Sequence, residues 1–180
     1  MIARADEIIQ FWTDAGEENW FKSDPSFDEK VRARFLATYE AGMRGEFDAW
    51  ENSPEFALAL VLLFDQFPRN MFRGTPKAFA SDEKAKLIAD RAIAAGHDKA
   101  VEPALHTFFY LPFMHSEELA DQERCVALME QGGKPENIKY AEIHLDAIKR
   151  FGRFPHRNTI LGRKSTPEEV AYLADGGFSG

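Results

Sequence analysis

Ser53-Pro54-Glu55-Phe56-Ala57-Leu58-Ala59-Leu60-Val61-Leu62-Leu63-Phe64 is the stretch that decides the fold. Residues 56–64 are apolar without interruption, and two structures bury such a run: a central strand, or a helix apolar nearly all round. Serine is a good N-cap, and proline fits the first helical turn, where its missing N–H costs nothing. With the alanine and leucine content, that start predicts a helix, and the most buried one in the protein.

Other segments agree. Ala5, Ile8, Ile9 and Trp12 form one stripe, which Gly16 can end. Ser26 and Glu29 have capping-box spacing ahead of Val31, Phe35, Leu36 and Tyr39, with Gly42 as a stop. Thr75-Pro76 starts a long helix towards Gly96, and Pro103 another towards Pro112. Ser116-Glu117-Glu118 opens a helix that Gly132-Gly133 stops, and Pro135 opens one through Ile138, Ala141, Leu145 and Ile148. Thr166, Pro167 and Glu169 supply cap, first-turn proline and capping-box glutamate for a short final helix. Alternating strands and hairpin turns are absent. The expected fold is one all-α domain over residues 1–180, with about seven to nine helices packed as antiparallel hairpins into a bundle or short superhelix.

Composition narrows the function. Among 180 residues, 44% are hydrophobic and 16 are phenylalanine, enough for a large core without a metal or disulfide staple. A net charge of −8 argues against broad nucleic-acid binding, which needs many cations against phosphates. The apolar run over residues 56–64 is less than half of the roughly 20 residues a bilayer requires. The amino terminus turns acidic before any signal-peptide core begins, and one cysteine, Cys125, cannot make an internal disulfide; the cytoplasm is the expected compartment.

One pattern recurs. Phe64-Asp65-Gln66-Phe67-Pro68-Arg69-Asn70 echoes Phe151-Gly152-Arg153-Phe154-Pro155-His156-Arg157-Asn158, and each runs on to Gly and Thr-Pro or Ser-Thr-Pro. Duplication of a helical unit would produce the echo, as would convergent use of one helix-ending turn. These segments, with Leu111-Pro112-Phe113-Met114-His115-Ser116-Glu117, Trp20-Phe21, Phe27-Asp28 and Phe79-Ala80, resemble the signatures of the uncharacterised bacterial family called domain of unknown function 924. The resemblance spans nearly the whole chain and implies a helical fold similar to the tetratricopeptide superhelix. It implies no activity and no catalytic residue, and the 34-residue period of true tetratricopeptide repeats is missing.

Asp65 is the most informative residue. At the close of an apolar helix a carboxylate is desolvated and faces the negative end of the dipole, so it needs a cation or several donors. Arg69, Arg73, Arg153 and Arg157 are the options, and a structural ion pair is the simpler outcome. With Arg163 and Lys164 they cluster around the two Phe-Pro turns beside Asn70 and Asn158, where guanidinium forks suit phosphate or carboxylate. The alternative is that they cap helix-end carbonyls. His144 and His156 complete the candidate site, and no metal-ligand spacing, phosphate loop, nucleophile elbow or cofactor fingerprint occurs. Two functions follow. One is a binding or adaptor protein whose groove holds a small anionic ligand or acidic peptide at Asp65, Arg69, Asn70, Arg73, His144, Arg153, His156, Arg157 and Asn158. The other is an enzyme on a phosphate- or carboxylate-bearing metabolite, with Asp65 or a histidine as acid or base.

Overall fold

The computed structural model describes residues 1–180, and every regular element in it is a helix. In chain order these are α1 (Ala5–Ala15), α2 (Glu17–Trp20), α3 (Pro25–Met43), α4 (Pro54–Val61), α5 (Phe67–Met71), α6 (Asp82–Ala94), α7 (Leu111–Met114), α8 (Leu119–Gly132), α9 (Pro135–Phe151) and α10 (Pro167–Ala174). Contacts divide the chain into two compact units, Met1–Pro112 and Phe113–Gly180, a finer partition than the domain expected from length.

In the first unit, Ser53 Oγ accepts the Phe56 amide and Pro54 takes the first turn, so α4 begins as its sequence predicts. Its end differs from expectation. Instead of closing near Asp65, the rod continues through a π-helical turn, Leu62–Gln66, directly into α5. Pro68 accounts for this. It has no N–H to donate back along the helix, and the Phe67 amide reaches five residues back to the Leu62 carbonyl. The Phe64 carbonyl is instead taken by Ser81 Oγ at 2.6 Å, and that of Asp65 by Arg69 Nη1 at 2.7 Å.

Aromatic packing surrounds this rod. Trp12, Phe35, Phe64, Phe67 and Phe108 are fully buried. Phe67 lies 4.7 Å from Phe35 and 5.6 Å from Trp12 between ring centroids, and Trp20 stands edge-on to Phe108 at 4.9 Å. Each such ring stabilises by roughly 1.5–3 kcal/mol on burial, and aromatic pairs add about 0.5–1.5 kcal/mol. Gly42 is no helix stop: α3 runs through it, and a Cβ there would come within 2.7 Å of the Phe64 ring.

Of four start signals, two are displaced and two open 3-10 turns in place of the expected helices. Asp24, not Ser26, caps α3, accepting the Ser26 and Phe27 amides, because Pro25 takes the first helical position and moves the start two residues earlier. Thr75-Pro76 starts only a 3-10 turn, Pro76–Phe79, and α6 begins at Asp82 once Ser81 has been drawn to Phe64. Pro103 likewise starts a 3-10 helix, Pro103–Phe109. Ser116 does not cap α8; it accepts the Glu118 amide and donates to Asp121, and Glu118 is the cap residue.

In the second unit α8 and α9 pack as a hairpin across Gly133-Lys134. Helix α9 buries Ala141, His144, Ala147 and Ile148, then ends at Gly152, whose φ of 65° places it in the left-handed region. The two Phe-x-x-Phe-Pro segments therefore have different backbones: a π turn in one, a glycine-ended helix in the other.

Ser81→Ala should leave the buried Phe64 carbonyl without its donor and cost about 1–3 kcal/mol in denaturant unfolding. Adding Pro68→Ala restores a backbone donor and should recover part of that loss, a coupling of roughly 0.5 kcal/mol or more in a double-mutant cycle.

Candidate functional site

The nine expected site residues fall into two sets. Asp65, Arg69, Asn70 and Arg73 lie in the first unit; His144, Arg153, His156, Arg157 and Asn158 lie in the second.

In the first unit Asp65 has no exposed surface. Its Oδ2 accepts Gln66 Nε2 at 2.6 Å, and its Oδ1 lies 3.4 Å from Arg69 Nη1. Arg69 also holds Asp82 through both terminal nitrogens, at 2.9 and 3.0 Å, tying α5 to α6. Arg73 makes the same two-pronged pair with Asp28 of α3, at 2.6 and 2.9 Å, and Asn70 adds a hydrogen bond to Asp28 at 2.8 Å. Arg32 donates from α3 to the Met71 carbonyl. The expected partner for Asp65 is thus present, and this set works as a clasp between α3, α5 and α6.

In the second unit the same chemistry recurs. Arg153 forks onto Glu169 at 2.7 and 2.9 Å, and Asn158 donates to Glu169 at 3.1 Å. Arg163 forks onto Glu117 at 2.7 and 2.9 Å, donates to Asn158 Oδ1, and reaches the Phe154 carbonyl. Glu117 also accepts the Phe154 amide at 2.8 Å, the donor that follows the end of α9. The Arg153 guanidinium, with the Thr166 amide and Asn158, pushes Glu169 down to about 2. Burial works against Glu117, yet Arg163, the Phe154 amide and the charge of Arg157 hold it below its ordinary value.

His144, His156 and Arg157 are arranged differently, around one ring. Phe154 is fully buried, with His144 and His156 each 5.6 Å away between centroids and the Arg157 guanidinium over its face at 4.6 Å. His144 Nδ1 donates to the Tyr140 carbonyl at 2.7 Å, which leaves the lone pair on Nε2. Burial first, then the charges of His115, Arg157 and His156, push His144 down to about 3. The half-buried Phe178 ring, absent from the expected set, lies tilted against His144 at 4.1 Å and meets His156 edge-on at 4.9 Å.

Other chemistry finds little footing. No group of three or more His, Cys, Asp or Glu is arranged to hold a metal ion. Burial pushes the Cys125 thiol up to about 12, so it is no nucleophile at neutral pH. An open cleft of about 370 Å³ beside Arg150, Tyr172, Gly176 and Gly177 contains none of the nine expected residues. No helix is long and apolar enough to cross a membrane.

An all-helical bacterial protein with these two clasped Phe-Pro segments is a recognisable class. The model of the bacterial proteins of unknown function called DUF924 matches residues 8–177, and the chain belongs to that family. It is similar to a solved structure of a protein of unknown function from Agrobacterium tumefaciens, ATU0120. The two share 48% identity over 96% of this chain and 97% of that one, with a TM-score of 0.92. No curated protein matches the chain.

His144 and Glu169, like Glu117, favour the fold at neutral pH and lose that contribution in acid, since the unfolded chain binds the proton more readily. The His144 share should fade between about pH 6.5 and 3, and the Glu169 share between about 4.5 and 2. Thermal midpoints against pH should show both limbs, with Glu169→Gln lowering the midpoint at pH 7 and flattening the lower limb.

Proposed function

We propose that the chain is a helical binding or adaptor protein that holds a small anion, or the acidic group of a peptide, at His144, His156 and Arg157. One observation carries this reading. Two imidazoles and a guanidinium converge on the Phe154 ring, and the charges that bear most on His144 come from His115, Arg157 and His156, all cationic or neutral. Arg69, Arg73, Arg153 and Arg163 are each engaged through two nitrogens by a carboxylate, and offer a ligand little; Arg157 lies over the Phe154 ring, within the field of Glu117. A guanidinium and a protonated imidazole together suit a phosphate or carboxylate, so an anion at His144 binds together with a proton on Nε2. The net charge of −8 weighs against a nucleic-acid partner, and the single cysteine, in no disulfide, suits the cytoplasm.

An enzyme acting on such metabolites is the second reading, and His144 is what favours it, as an uncharged imidazole with a lone pair on Nε2. Asp65, fully buried and engaged by Gln66 and Arg69, lends that reading nothing.

Thermal shift against phosphorylated metabolites and short acidic peptides tests the binding reading. A true ligand at a hundredfold excess over its Kd stabilises by about 2.7 kcal/mol, which raises the midpoint by several degrees. Arg157→Gln should abolish the rise and Arg73→Gln should keep it. A flat response to every anion, or equal loss in both variants, would contradict the assignment.

A further inference from the structure

Residues 176–180 follow α10 and carry Phe178 back onto the second unit. The hold is light. The Phe178 amide donates to Tyr172 Oη at 2.9 Å, the Gly177 amide to the Tyr172 carbonyl at 2.9 Å and the Gly176 amide to the Leu173 carbonyl at 3.3 Å, while the Phe178 ring and Gly180, which lies against His156, supply the rest. Gly177 is fitted to this path, because a Cβ there would come within 2.6 Å of the Tyr172 ring. Gly176, Ser179 and Gly180 are exposed, so Phe178 is the anchor.

What the ring covers is the proposed anion site. It lies on His144 at 4.1 Å, on His156 at 4.9 Å and against Phe154 at 6.0 Å. His144, against that ring, is only 8% exposed, and Arg157, over Phe154, 7%, too little for a solute to reach. We propose that residues 176–180 form a strap that gates this site: seated, Phe178 shuts the His144–His156–Arg157 cluster; lifted, it opens the cluster to an anion. The gating rests on the anion-binding reading above and names the regulation of that same site.

Protonation is built into the gate. His144 sits in α9 with its Nδ1 on the Tyr140 carbonyl. The groups facing it are His115 from the segment after α7 and His156 and Arg157 from the turn after Phe154, while the strap brings only a phenyl ring. Under the seated ring a proton on Nε2 has cationic neighbours and an aromatic cover, so the closed state disfavours it. Lifting the ring admits water or an anion, and acid and ligand should therefore open the strap together.

The test compares the full chain with Phe178→Ala, and with Tyr172→Phe, which removes only the hydroxyl that holds the Phe178 amide. Two readouts are taken: titration of the His144 ring by NMR, and the Kd for inorganic phosphate. The gate predicts that His144 moves in both variants from about 3 towards its ordinary 6.5, further in Phe178→Ala. It also predicts phosphate binding about tenfold tighter in Phe178→Ala, as expected if the open form is roughly a tenth of the wild-type population. An unchanged His144 titration in both variants overturns the strap. So does a freed His144 with phosphate bound equally by all three proteins. A freed His144 with no phosphate bound by any of them keeps the strap as a cover on the histidine, and overturns both the gating of anions and the anion site itself.

Discussion

Pro68 has no amide hydrogen, and it stands inside the most buried helical rod of the protein. Buried carbonyls left without a donor are costly, so the missing hydrogen has to be replaced from elsewhere. The turn widens to the π register, Ser81 reaches the Phe64 carbonyl, and Arg69 reaches that of Asp65. Each replacement has structural consequences. Ser81 brings the start of α6 against the rod, and the half-buried Arg69 pairs with the carboxylates of Asp65 and Asp82. Asn70 on the same short helix and Arg73 just past its end take Asp28 and so fasten α3. Much of the first unit's polar wiring thus traces to one ring closure in one side chain.

The second unit meets a related sequence with another solution. Gly152 ends α9 in a left-handed turn, and the freed Phe154 amide goes to Glu117 instead of to a carbonyl. Arg163, Asn158, Glu169 and Arg153 extend that contact into a continuous network. Because the chain leaves the helix at Gly152 instead of running on, Phe154 becomes a platform and not part of a rod. His144, His156 and Arg157 gather on it, which is why function is assigned to this segment and not to its counterpart.

Much of this was legible in the letters. The Ser53-Pro54 start, the all-helical fold, the need of Asp65 for a cation, and the capping box at Thr166 and Glu169 all rest on local chemistry, and local chemistry is written in sequence order. The π turn was hidden because a proline four residues past an apolar run looks like a stop; only Ser81, from another element, allows the helix to continue. The pairing of Asp28, Asp82 and Glu117 with arginines gave no signal, since an acid in a first turn has a sufficient local reason to be there, and Glu169 read only as a capping-box residue. Asp28 and Glu117 nevertheless stand inside the segments that carry the family resemblance, which was the available signal. Phe178 gave none: one aromatic between glycines has no periodicity, and its seat is made by residues more than twenty positions away.

Function in this account therefore depends on a division of labour among arginines. Those held by two-pronged carboxylate pairs keep helices together, and Arg157, on the Phe154 face with two imidazoles, is the one proposed to receive a ligand. The most direct test is a titration with inorganic phosphate followed by residue-resolved amide shifts. Shifts centred on His144, residues 154–158 and Phe178 are the predicted result. Shifts centred on Arg69 and Arg73, with the second unit silent, would contradict it.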